Sequence, residues 1–132
     1  MLFFSYLETN NLVEEALKEK AYAVDLWKEV RDDFKKIDLK DEKLREFIEN
    51  SMEYAVRLFR IVYICFQIFA KCRRKENLTD LLAEYDEAWE YYRALEQRPQ
   101  ASTSYSEEFM YYTGFLGLNE TIEYCRKKDT EK

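Results

Sequence analysis

The chain predicts an all-α fold: an up-down-up bundle of three long helices, closed by one or two short C-terminal helices. Three observations carry this. Two glycines and one proline in 132 residues leave little material for tight turns. Apolar residues recur at three- and four-residue steps along three long stretches. Glu, Lys, Leu and Ala, the good helix formers, are abundant. With 47% hydrophobic and 36% charged residues, residues 1–132 read as one globular domain that can build a core without disulfides or metals. No repeat of solenoid period is visible.

The first long helix is predicted to start near Asn11, with Asn11 as cap and Glu14 completing a capping box. Its inward stripe is Val13, Ala16, Leu17, Val24, Trp27, Val30 and Phe34, and it should end near Lys36. Residues 1–10 form a short helix or an arm over the bundle end. Asp38 or Asp41 caps the second helix. Its pattern runs from Leu44 and Phe47 through Leu58 and Cys65 to Cys72 without a breaker. That is about 32 residues, or nearly 50 Å at about 1.5 Å per residue. The second half of this helix is apolar on nearly every side, so other elements or a subunit interface should surround it. The third helix starts at Asn77 or Thr79 and turns Leu78, Leu82, Tyr85, Trp89, Tyr92 and Leu95 inward. Pro99 stops it near Gln97. Ser104 and Glu107 have capping-box spacing for a short helix over 107–113, which Gly114 and Gly117 break. Asn119 can cap a last helix through Arg126, with Ile122 and Cys125 facing in and the tail from Lys127 fraying.

Composition excludes several functions. A net charge of −6 disfavours nonspecific nucleic-acid binding. The one basic cluster, Lys71-Cys72-Arg73-Arg74-Lys75, falls where a long helix ends and offsets its dipole. The longest apolar run, 58–70, is broken by Arg60 and Gln67 and is too short for a membrane span. The start MLFFSYLE lacks the basic region of a signal peptide. Cys65, Cys72 and Cys125 are odd in number and without a CxxC, so they read as reduced, structural thiols of a cytoplasmic protein. With no histidine there is no Ser-His or Cys-His nucleophile and no Glu-x-x-His metal motif. No phosphate loop and no zinc site is visible, so no cofactor and no metal is expected. Glu49, Glu53, Glu84 and Glu87 could form an all-carboxylate site, but pairing on a solvated face explains them equally.

Two groups stand out. Arg60 lies between Phe59 and Ile61 in the apolar half of the second helix. A buried guanidinium needs a carboxylate, carbonyls or a way out to solvent. An ion pair to Asp25 or Asp86 would meet that need. An anion site walled by Tyr63 and Tyr85 would also meet it. The second group is aromatic: 11 Tyr, 9 Phe and 2 Trp, with an excess near the C-terminus. Tyr91 lies off the inward stripe, and with Tyr105, Tyr111 and Phe115 it is the expected partner-facing surface.

The run Tyr85-Asp86-Glu87-Ala88-Trp89-Glu90-Tyr91-Tyr92-Arg93-Ala94-Leu95, then Pro99 and Thr103-Ser104-Tyr105, resembles the helical C-terminal accessory region of large bacterial carbohydrate-active enzymes. There a Tyr-Asp-x-x-Trp-x-x-Tyr-x-x-Leu helix precedes a proline and a Thr-x-Tyr turn. The Gly117-Leu118 pair before a terminal helix also fits. The resemblance covers about 40 residues and implies a noncatalytic region that packs on an upstream barrel domain; no catalytic residue of that family falls on this chain. The residues and the resemblance together give a noncatalytic helical packing module that meets a protein partner or a second copy of itself. The alternative is a small-ligand-binding bundle with its anion site at Arg60.

Overall fold

The computed structural model describes residues 2–97 and 115–131. Five helices follow in order: α1 (Leu2–Thr9), α2 (Val13–Phe34), α3 (Glu42–Arg73), α4 (Thr79–Arg93) and α5 (Phe115–Thr130). A 3-10 turn, Ala94–Gln97, extends α4. No strand occurs among the described residues. The all-α class and the up-down-up course of α2, α3 and α4 are as the sequence predicts.

Helix α3 is the axis. Asp41 caps it, its carboxylate accepting from the Leu44 amide at 3.1 Å. Lys71 and Arg73 in its last turn offset the dipole. The helix runs 32 residues, yet its first eight contribute no buried side chain. Burial begins at Asn50 and then takes nearly every residue from Tyr54 to Ala70. α2 runs antiparallel to α3, fixed by Trp27 against Phe59 with ring centroids 6.1 Å apart and by Lys20 over Phe66 at 5.4 Å. α4 returns along the opposite side, with Tyr54 edge-on to Tyr92 at 5.4 Å. α5 runs antiparallel to α4: Asp86 pairs with Arg126 at 2.9 Å, and the Leu78 amide donates to Asp129 at 3.4 Å. Ile122 and Cys125 of α5 are buried against the α3 core. Leu7 of α1 joins the same core.

Several expectations are corrected at the ends and edges. Asn11 does not cap α2; the residue before that helix is Leu12, with no side-chain cap. Asn11 instead ends α1 in the left-handed region, φ 56°. Its amide donates to the Glu8 carbonyl at 3.1 Å and the Leu12 amide to the Leu7 carbonyl at 2.7 Å. That paired bonding satisfies the last carbonyls of α1. The same closure ends α3 at Lys75, φ 59°, with the Glu76 amide on the Lys71 carbonyl at 3.0 Å. Helix α4 starts at Thr79, one of the two predicted starts, and the Asn77 side chain, two residues before it, accepts from the Thr79 amide at 2.8 Å. Gly117 lies within α5 and does not break it, Asn119 is not its cap, and residues 127–130 remain helical. The short helix over 107–113 lies outside the described residues.

A β-carbon in the left-handed region costs about 1–2 kcal/mol, and asparagine tolerates it better than lysine. Lys75→Gly should therefore raise stability by about 0.5–1 kcal/mol after the extra entropy of the unfolded chain is counted. Urea unfolding of the two proteins measures this; an unchanged or lowered midpoint would contradict the strain at Lys75.

Candidate functional site

The residues singled out for an anion site do not converge. Arg60 is 28% exposed and not buried; its Nη2 lies 3.9 Å from Glu84 and 4.0 Å from Glu87. The predicted partners are corrected with it, because Asp86 is taken by Arg126. Tyr63 is half-buried on α3. Tyr85 is buried, and its hydroxyl donates to the Asn119 side chain on α5. Burial holds that hydroxyl well above the ordinary tyrosine range. Neither of the cavities described below is lined by Arg60, Tyr63 or Tyr85.

The buried cation is Arg57, one helical turn earlier, at 7% exposure. Its residue number places it on the α4 side of α3, with Tyr54 and Ile61, whereas Arg60 falls on the margin of the same contact. Arg57 Nη1 donates to the Tyr91 carbonyl at 2.6 Å. Its guanidinium stacks 3.4 Å from the Tyr91 ring centroid. Its Nε faces Glu53 at 3.4 Å, and the other oxygen of Glu53 takes Arg31 of α2 at 3.1 Å. One charged chain thus runs Arg31–Glu53–Arg57–Tyr91 through α2, α3 and α4. It gives the buried guanidinium a carboxylate at ion-pair distance, a carbonyl and an aromatic face, while its Nε makes no hydrogen bond. It also gives Tyr91 a job. The residue is 51% exposed, as its off-stripe position suggests, and its ring roofs Arg57. Tyr105 and Tyr111 lie outside the described residues, as does the side chain of Phe115, the first residue of α5.

Of the four acids considered for a carboxylate site, Glu49 pairs with Arg45 at 3.5 Å, Glu84 and Glu87 face Arg60, and Glu53 serves two arginines. No group of three potential metal ligands occurs among the described residues. None of their helices is long and apolar enough to cross a membrane.

Two surface features remain. One is a cavity of about 490 Å³ between the end of α3 and α5, floored by Phe69, Leu78 and Tyr124. A smaller one of about 120 Å³ lies by Glu8, Val13 and Arg74. The other feature is the α2–α3 hairpin. α2 buries only Val24 completely. Tyr22, Leu26, Val30, Ile37, Leu44 and Phe47 stay between 39% and 65% exposed. Val30, Leu44 and Phe47 were expected inside, so this is a correction. α4 ends beside Tyr54, and the first eight residues of α3 bury no side chain.

These apolar residues share a side. Leu26 and Val30 are four apart and lie on one flank of α2. Leu44 and Phe47 are three apart and lie on one flank of α3. Trp27 on Phe59, and Arg45 over the Phe34 ring at 5.7 Å, fix the facing sides of the two helices. With about 100° between successive residues and antiparallel axes, both flanks then point to the same side of the hairpin. Polar partners such as Arg31, Arg45 and Glu49 take the other side. A signal for this face exists in the sequence as a second apolar step, Tyr22-Leu26-Val30, beside the inward stripe.

Removing the shared carboxylate should cost more than removing its exposed partner. Glu53→Gln leaves buried Arg57 without its counter-charge and should cost about 2 kcal/mol. Arg31→Gln leaves that pair intact and should cost below about 1 kcal/mol. Denaturant midpoints test the order; equal losses would contradict the role of Glu53.

No protein-family model matches the chain, and neither a curated protein nor a solved structure matches it.

Proposed function

We propose that the chain is a noncatalytic helical module that packs the open side of its α2–α3 hairpin against another protein surface, and that the first occupant is a second copy of itself. The observation that supports this is the side just described: Leu26, Val30, Leu44 and Phe47 together, each at least 39% exposed. Soluble monomers carry scattered apolar side chains, whereas grouped ones mark a contact. A two-helix hairpin with one apolar side can bury it on its own copy about a two-fold axis, making a four-helix arrangement.

Charge allows the pairing. The chain as a whole is at −6, but residues 22–51 carry seven cations and nine acids. That mixed rim can face itself without large repulsion. The accessory-region form of the reading, in which a neighbouring enzyme domain covers the same side, rests on the resemblance of the 85–105 segment. In that segment Tyr85, Trp89, Tyr92 and Leu95 are taken up by the bundle's own core.

Light scattering across a concentration series tests the proposal. The expected result is a dimer that Val30→Lys with Phe47→Lys converts to a monomer while helical circular dichroism is kept. A monomer at every concentration, or a dimer that ignores both substitutions, would contradict it.

A further inference from the structure

The three cysteines gather at one end of the bundle. Cys65 and Cys72 lie two turns apart on α3, and Cys125 meets them from α5. Cys65 and Cys125 are buried, and Cys72 is half-buried. Burial pushes the Cys65 thiol up to about 12, with Cys125 adding to the effect. Burial does the same to Cys125, also to about 12, and the neighbouring Cys72 thiol adds to it. These two thiols stay protonated near neutral pH and are poor nucleophiles. Cys72 is the member of the group that combines exposure with a cavity.

That cavity gives an adduct somewhere to lie. Cys72 and Cys125 line one wall of the 490 Å³ space, above Phe69, Leu78 and Tyr124. Pockets of roughly this size hold small organic ligands. The charged groups that line it are Arg73, Lys75 and Lys128 against Asp129 and Glu131, a net of +1 (three minus two) on a chain at −6. Asp129 accepts from the Leu78 amide at 3.4 Å, Glu131 and Lys128 pair with each other at 3.5 Å, and Lys75 is exposed. Arg73 is held by Glu8 at 2.6 Å.

We propose that Cys72 is a site of reversible S-thiolation by a low-molecular-weight disulfide carrying carboxylates, with the added group seated in this cavity. The Cys72 thiolate attacks one sulfur of that disulfide. A new S–S bond forms at Cys72 and the original S–S bond breaks. The departing half leaves as a thiolate and takes up the proton that Cys72 released. The Cys72 sulfur is oxidised, the departing thiol is the reduced product, and the attacking disulfide is the only oxidant needed. The product is the mixed disulfide at Cys72, with Cys125 left as a thiol on the same cavity wall.

The test uses the full chain and oxidised glutathione, read by intact mass and peptide mapping. The expected result is one glutathionyl group per chain on Cys72, removed by dithiothreitol. Cys72→Ser should take none, and Cys125→Ser should still take one. Lys75→Gln with Lys128→Gln, both at exposed positions, should slow the reaction severalfold with oxidised glutathione but not with neutral hydroxyethyl disulfide. Several outcomes would overturn the proposal: no adduct, first reaction at Cys65 or Cys125, a Cys72–Cys125 cross-link without retained glutathione, or equal slowing with both disulfides.

Discussion

The structure depends on one helix that cannot stand in water. From Tyr54 to Ala70, α3 turns apolar side chains in almost every direction. No single neighbour can cover such a surface, so α2, α4 and α5 are all needed, with Leu7 of α1 joining them. The order of helices in the chain then leaves few choices. Short links after Phe34 and Arg73 make α2 and α4 antiparallel to α3 on its two opposite sides, and α5 fills the remaining side. The buried ends Cys65, Ile68 and Ile122 mark where these surfaces meet.

The same constraint explains the charged chain through the middle. α4 meets α3 at Tyr54 through Tyr92, one residue before α4 ends, at the margin of the apolar half. Arg57 sits just inside that margin and must be neutralised within protein. Glu53 does this and spends its second oxygen on Arg31, which ties α2 to the same level. Beyond this level, among the described residues, α3 packs on α2, and Leu26, Val30, Leu44 and Phe47 of the hairpin stay at least 39% exposed. The wrapped half and the open half are therefore two consequences of one helix that is longer than its neighbour α4.

The sequence makes the axis legible. Uninterrupted periodicity and Asp41 define α3 closely, and the Tyr85–Leu95 face falls inside as the spacing indicates. Helix ends are less legible. With so few glycines, Asn11 and Lys75 take left-handed positions that local pattern assigns elsewhere. Arg60 and Arg57 show why the buried cation was misjudged: both follow apolar residues, and only the position of α4 decides which one is covered. Val30 lies on the flank of α2 rather than on its inward stripe, and Leu44 and Phe47 lie before the level that α4 reaches; periodicity carries no information about how far a neighbour extends. The convergence of Cys72 and Cys125 is likewise set by how α5 docks, which no spacing along the chain specifies.

In the proposed dimer, α3 is wrapped by its own chain's helices from Tyr54 to Ala70 and meets the second copy through its first turns. Amide hydrogen exchange along α3, measured at low and high protein concentration, tests it most directly. The account expects residues 54–70 to exchange only through global opening. It expects 42–51, with 24–34 of α2, to gain protection as concentration rises. Protection that is uniform along α3 and independent of concentration would contradict it.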